Sequence, residues 1–163
     1  MKIVNKGYTG NSGTYVSVSP DDESKKYIRE MVKSLNPPFP LDIFDDEAHM
    51  TIMYSRHECI DEDQLQFPES IVALPLKFEY WDGHDNDGYL VLKMVSKPAS
   101  DLNQHLLDLG AEHSFDDYTP HMTIIHGIYD YKDKINTWLN SIKGKLPSRL
   151  VYFNEVAINN CKK

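Results

Sequence analysis

The tetrapeptide His-Met-Thr-Ile occurs twice, in AHMTIMY (48–54) and PHMTIIH (120–126), and both copies close a strand–helix–strand pattern. In the first half, TYVSVSP (14–20) alternates and is rich in Val, Tyr and Thr, as a half-buried strand requires. SPDDESKKYIREMVKSLN (19–36) follows, with Ser19 or Asp21 as N-cap and Pro20 and acids in the first turn. Tyr27, Ile28, Met31, Val32 and Leu35 recur at helical spacing and define a buried stripe. A Pro-rich loop (36–47) leads into the first copy. The second half repeats the order: GYLVLKMVS (88–96) as strand, PASDLNQHLLDLG (98–110) as a helix stopping at Gly110, and the loop AEHSFDDYTP (111–120). Two copies with no short period are a duplicated architecture, not a solenoid.

Between the halves, LPLKFEYWDGHDNDGYLVLKM (74–94) reads as a hairpin whose polar, Gly-rich turn spans Asp82 to Gly88. The tail adds a helix, DKINTWLNSIKGKL (133–146), with Ile135, Trp138, Leu139 and Ile142 on one face, and a last strand, SRLVYFNEVAI (148–158). No stretch is long enough to act as a linker, so residues 1–163 are read as one domain with two similar lobes.

Alternation along a strand puts His49 and Thr51 on one face and Met50 and Ile52 on the other; the same holds for His121 and Thr123 against Met122 and Ile124. One face is apolar and suits a helix. The other offers an imidazole and a hydroxyl about 7 Å apart along the strand. If the lobes are related by a two-fold, two His and two Thr converge on one groove. Two imidazoles with ordinary pKa near 6.5 serve at neutral pH as one base and one acid. Cleavage of a phosphodiester by its own ribose 2′-OH needs that pair. One His takes the hydroxyl proton, and the other protonates the departing 5′-oxygen. The nucleophile is already in place, and Thr hydroxyls can donate to the non-bridging oxygens. No metal or other cofactor is required. The two copies are too alike for the sequence to say which His is base and which is acid.

The chain has 163 residues with a formal net charge of −8, so its surface repels long nucleic acid and anionic membranes but not a small phosphate ligand held locally. The longest apolar runs, such as SIVALPL (70–76), are too short to span a bilayer, and MKIVNKGYTGNSG lacks a signal-peptide core. Cys59 and Cys161 make no framework and read as reduced thiols of an intracellular protein.

The paired His-x-Thr-hydrophobic words, with Pro120 directly before the second, resemble the 2H phosphoesterase superfamily over essentially the whole chain. The early GTYVSVSP strand and the EYWDGHDNDGYLVLKM hairpin are similar to those of the anti-CBASS nucleases of T4-like phages. That resemblance implies an α+β, two-lobed fold: two pseudo-symmetric β-α-β units, antiparallel sheets lining a central groove, helices outside. It implies a metal-independent phosphodiesterase that cuts 3′–5′ bonds of cyclic di- and trinucleotide messengers, such as 3′,3′-cGAMP, in the host cytoplasm. His49 and His121 then match the catalytic histidines, and Thr51 and Thr123 the phosphate-contacting hydroxyls. Tyr15, Trp81 and Glu155 are the nearest matches to the residues that hold the bases. On the residues alone, ordinary packing accounts for Tyr15 and Trp81. Stacking on an aromatic ring is nevertheless an apt source of affinity for an acidic protein, at about 1–3 kcal/mol per base.

Two other readings keep some of these features. A 2H enzyme could act on linear RNA ends or nucleoside cyclic phosphates, and a sponge could bind a cyclic nucleotide without cutting it. HECIDED (57–63) lacks recurring metal-ligand spacing, and DGHDNDG (82–88) lacks the trailing glutamate of a calcium loop. His126 is expected on the strand face opposite His121. Neither His105 nor His113 is given a role, and no oligomeric state is assigned.

Overall fold

The alternating segments pair into a single mixed sheet. The computed structural model describes residues 1–8, 13–113 and 117–161, so part of the loop expected at 111–120 lies outside the described residues. Its elements are β1 (Lys2–Tyr8), β2 (Thr14–Pro20), α1 (Asp22–Ser34), β3 (Met50–Ser55), β4 (Ile71–Trp81), β5 (Tyr89–Val95), α2 (Lys97–Asp108), β6 (His121–His126), α3 (Lys132–Ser141) and β7 (Val151–Asn160). The strands run β1-β7-β2-β3-β6-β5-β4, and β4 also pairs with β7, so the hydrogen-bonded order returns on itself.

The expectation of purely antiparallel sheets is corrected at one edge. β1, which carries no clear alternation in KIVNKGY, pairs in parallel with β7, Lys2 opposite Glu155 and Val4 opposite Ala157. β4 is longer than its hairpin signal, because SIVALPL feeds it from Ile71. Pro75 is accommodated at a register irregularity between Pro75 and Lys77.

Local chemistry sets the helix ends. Asp21 caps α1 by accepting from the Ser24 N–H at 2.8 Å. Ser96 caps α2, accepting from Ala99 N–H at 3.1 Å and donating to the Val72 carbonyl at 2.7 Å. Gly110 has φ +108°, the conformation that lets the chain leave α2. The third helix is shorter than its sequence signal, stopping before Ile142.

Ile28, Met31 and Val32 of α1, Leu102 and Leu106 of α2, and Ile135 and Trp138 of α3 are buried with Met50, Ile52, Leu92, Met122 and Ile124 of the sheet. Each such aliphatic side chain contributes about 1.5–3 kcal/mol by leaving water. Trp138 meets Phe39 edge-on at 5.7 Å between centroids and donates its indole N–H to the Leu35 carbonyl at 2.7 Å. This ties α3 to the end of α1.

Cys59 and Cys161 form a disulfide, Cα atoms 5.2 Å apart, which corrects the expectation of free thiols. The neighbouring Asn160 holds the same two segments together: its side chain accepts from Ile60 N–H at 3.2 Å and donates to the Ile60 carbonyl at 3.0 Å. That two-way bracket lays the end of β7 against the loop after β3. No helix among the described residues is long and apolar enough to cross a membrane.

Candidate active site

β3 and β6 meet at one register pair, Met50 opposite Met122, so the middle of one repeated word pairs with the middle of the other. An antiparallel pair of equivalent residues has a local two-fold between them. On either side of it stand a histidine from one strand and a threonine from the other. Both methionines are buried, as are Ile52 and Ile124, while His49 is exposed and Thr51, His121 and Thr123 are partly exposed. Diagonal neighbours in a regular antiparallel ladder are about 7–8 Å apart, a separation that admits a phosphate between the two imidazoles.

Each strand then breaks its ladder at the same place. The register with β2 slips between Ser17 opposite Thr51 and Val16 opposite Met53, and with β5 between Val91 opposite Thr123 and Leu90 opposite Ile125. Ile52 and Ile124 are thus equivalent bulge residues. In β3 the carbonyl of Ile52 is taken by the buried Asn103 of α2 at 2.8 Å. Asn103 in turn meets His113 Nε2 at 3.0 Å, which gives His113 a structural role the sequence did not reveal.

The two histidines are held by the same device. His49 Nδ1 lies 3.1 Å from the Glu47 carbonyl and His121 Nδ1 lies 2.8 Å from the Thr119 carbonyl, in each case two residues back. A carbonyl only accepts, so Nδ1 carries the hydrogen and the neutral ring offers Nε2 as its proton acceptor. At His49 that nitrogen is 2.8 Å from the Tyr15 hydroxyl, which is itself 3.1 Å from Thr51 Oγ1. The chain therefore runs from Thr51 hydroxyl to Tyr15 oxygen and from Tyr15 hydroxyl to His49 Nε2.

His121 sits in different company. Its ring centroid is 4.9 Å from that of Trp81, whose indole N–H donates to Glu79 Oε1 at 3.0 Å. Lys93, the cross-strand partner of His121, holds its Nζ 5.8 Å from the Trp81 ring centroid. Burial, opposed by the Thr119 carbonyl, lowers the His121 pKa below its ordinary value; the Lys93 charge adds to the lowering and Glu79 opposes it. Glu79 is itself held low, chiefly by the Trp81 N–H.

Register places the remaining predicted residues on this face. Ser19 is opposite Glu155 and Ser17 opposite Ala157, so Glu155 shares the side of Tyr15, Ser17 and Ser19. Glu155 and His49 line one cleft with Ser17, Ser19, Asp21, Asp22, Asp45, Asp46 and Glu47, and Lys25 is its one cation among the described residues. Trp81 and Glu79 reach the same side through Tyr89 and Val91. Tyr15 touches His49 and Trp81 touches His121; Glu155 lines the His49 cleft without a hydrogen bond to either histidine.

The bulge at Ile124 overturns one expectation. It reverses the alternation, so His126, opposite Tyr89, returns to the face of His121. There it lies between Asp45 at 3.3 Å and Asp87 at 3.6 Å, against the Tyr89 ring. Sequence reading also missed Tyr118, whose hydroxyl donates to the Thr51 carbonyl at 2.9 Å and ties the approach to one motif to the backbone of the other. Lys93 and Glu79 were missed too, although both fall on the alternation of strands already recognised.

Comparison with known proteins points one way. The family described as anti-CBASS protein Acb1 matches residues 12–160. A protein of that name from Vibrio phage KVP40 is 31% identical over 114 residues, which is 70% of this chain and 72% of the relative. Those of Enterobacteria phage T4 and Salmonella phage S16 are each 30% identical over 119 residues, 72% of this chain and 74% of theirs.

Proposed function

The chain belongs to the anti-CBASS protein Acb1 family, and from that we propose that it blocks CBASS antiphage immunity by cutting 3′–5′ phosphodiester bonds of cyclic di- and trinucleotides, 3′,3′-cGAMP among them, in the host cytoplasm. In this reading the two strand–helix–strand units are the lobes of a 2H phosphoesterase, and the reaction needs no metal. The observation that carries it is the Met50–Met122 pair, which sets two His-x-Thr motifs on one face about a local two-fold.

The geometry supports one reaction in particular. A phosphate between His49 and His121 has an Nε2 on each side. One imidazole accepts the 2′-OH proton as O2′ attacks phosphorus, and the other, protonated, delivers its proton to O5′ as that bond breaks. Carbonyls at Glu47 and Thr119 keep both rings in the tautomer this requires. Thr51 and Thr123 donate to the non-bridging oxygens. The product is a linear nucleotide ending in a 2′,3′-cyclic phosphate and a free 5′-hydroxyl. Tyr15 and Trp81 supply faces for the bases. Glu155, in a cleft rich in acceptors, suits the amino and imino edge of guanine.

Incubation with 3′,3′-cGAMP in excess EDTA, followed by mass spectrometry, tests this. Linear product from the wild-type protein, lost in His49→Ala and His121→Ala, is expected, since each acid or base step is worth about 10²–10⁴-fold. Cleavage of linear RNA in preference would transfer the site to RNA ends. Unchanged ligand recovered from a tight complex would make the protein a sponge.

A further inference from the structure

The two halves of the site also differ in which residue stands across the strand from each histidine. Lys93 is the register partner of His121 on the groove face, whereas the β2 register continued one step sets Ser19 beside His49, where the lysine at the wall of the cleft is Lys25 of α1. Both positions are occupied by partly exposed strand residues. The carboxylate closest in sequence pattern, Glu79, is engaged by Lys77 at 3.1 Å and by the Trp81 indole at 3.0 Å. Among the described residues Lys93 has no ion-pair partner within 4.0 Å, and its Nζ contact is with the face of Trp81. Glu79 feels the Lys93 charge at longer range, yet an ammonium with no carboxylate within 4.0 Å, in a groove of a chain with net charge −8, is where an anionic group settles.

We propose that Lys93 is a further catalytic residue: its ammonium donates to a non-bridging phosphate oxygen and holds the charge that grows there during attack. The assignment rests on the phosphodiesterase reading above. As the O2′–P bond forms, a singly charged diester becomes a phosphorane carrying more negative charge on its non-bridging oxygens. The 2′-OH proton goes to one imidazole, the P–O5′ bond breaks, and the other imidazole's proton goes to O5′. Lys93 keeps its protons throughout and works by charge alone. Neutral Thr hydroxyls donate to the same oxygens, but a charge-assisted hydrogen bond is roughly twice as strong as a neutral one. Trp81 restricts the lysine side chain from one side, so the ammonium is placed before the substrate arrives rather than ordered by it.

Single-turnover cleavage of 3′,3′-cGAMP in EDTA would be compared for wild type, Lys93→Gln and Lys93→Arg, each checked for an unchanged melting temperature. Lys93→Met replaces Lys93→Gln should that variant be unstable. Expected is a loss of about 100-fold in the chemical step for the neutral variants, with Lys93→Arg retaining most of the rate. A cyclic dinucleotide with one Rp or Sp phosphorothioate adds a readout that mere structural support would not move. Wild type should discriminate between the two isomers, and the neutral variant should lose that discrimination. Wild-type rates in a folded Lys93→Gln protein, or isomer discrimination that survives it, overturn the assignment while leaving the phosphodiesterase intact. Failure of the wild-type protein to cleave overturns the phosphodiesterase reading, and the Lys93 assignment with it.

Discussion

The Tyr15 hydroxyl lies 2.8 Å from Nε2 of His49, so the nitrogen that would exchange a proton with substrate is occupied by a side chain from the neighbouring strand. In the proposed reaction substrate displaces that hydroxyl, while the ring beneath remains as a stacking face. Tyr15→Phe is therefore expected to bind 3′,3′-cGAMP about as well as wild type. Tyr15→Ala should lose about 1–3 kcal/mol, or roughly 5- to 150-fold in affinity. Titration of each variant in a His121→Ala background, where no turnover intervenes, checks this. Equal losses for Phe and Ala would mean that the hydroxyl, not the ring, holds the ligand.

The pH profile should carry the imprint of His121. Burial lowers its pKa, so the limb it governs lies below about pH 6.5, the ordinary imidazole value. Two charged side chains act on the ring in opposite senses. Lys93 disfavours the imidazolium, so Lys93→Gln should move that limb up; Glu79 favours it, so Glu79→Gln should move it down. Profiles of kcat/KM for the three proteins decide the matter. Movement of both variants in the same direction would show that the ring is shifted by repacking around Trp81, not by charge.

Much of this arrangement is legible in the residues alone. Period two and period 3.6 mark β2, α1, β5 and α2 because each buries one face, and a buried face leaves a pattern. The repeated word marks the candidate site because its polar and apolar residues alternate identically in both copies. β1 was not legible: an edge strand paired on one side needs no strict alternation, and KIVNKGY has none. The place of His126 was misread because alternation assumes an unbroken ladder, and a bulge is set by tertiary partners such as those of Ile52. The disulfide escaped for a similar reason. Nothing in the spacing of Cys59 and Cys161 reports that Asn160 clamps the intervening chain ends together.

That disulfide closes a sequence separation of 102 residues between the loop after β3 and the end of β7. Removing it frees the unfolded chain more than the folded one, which the Asn160–Ile60 hydrogen bonds still hold. Cys161→Ser should cost about 2–4 kcal/mol of stability, with activity retained at temperatures where the protein stays folded. Thermal melts with and without a reducing agent, beside a thiol titration of unreduced protein, measure this. Two free thiols and an unchanged melting temperature on reduction would contradict it.

Asn103 reaches from α2 to the Ile52 carbonyl at 2.8 Å, and through that bulge it bears on the residue next to Ile52, Thr51. The carbonyl lies at the bulge in a buried place, and the amide donates to it. Asn103→Leu keeps the branched outline of the side chain and strands both the carbonyl and His113 Nε2, at a cost of about 1–3 kcal/mol for each buried group left unsatisfied. The bulge should then relax and carry Thr51 away from the groove. Stability and turnover are expected to fall together, with kcat dropping by more than KM rises, since Thr51 is proposed to act on charge that develops after binding. Asn103→Asp, which retains an acceptor for His113 but no donor for Ile52, separates the two contacts: if only the Ile52 bond matters to Thr51, its kcat should match that of Asn103→Leu. A full-rate Asn103→Leu enzyme with a lowered melting temperature would confine the amide to stability alone.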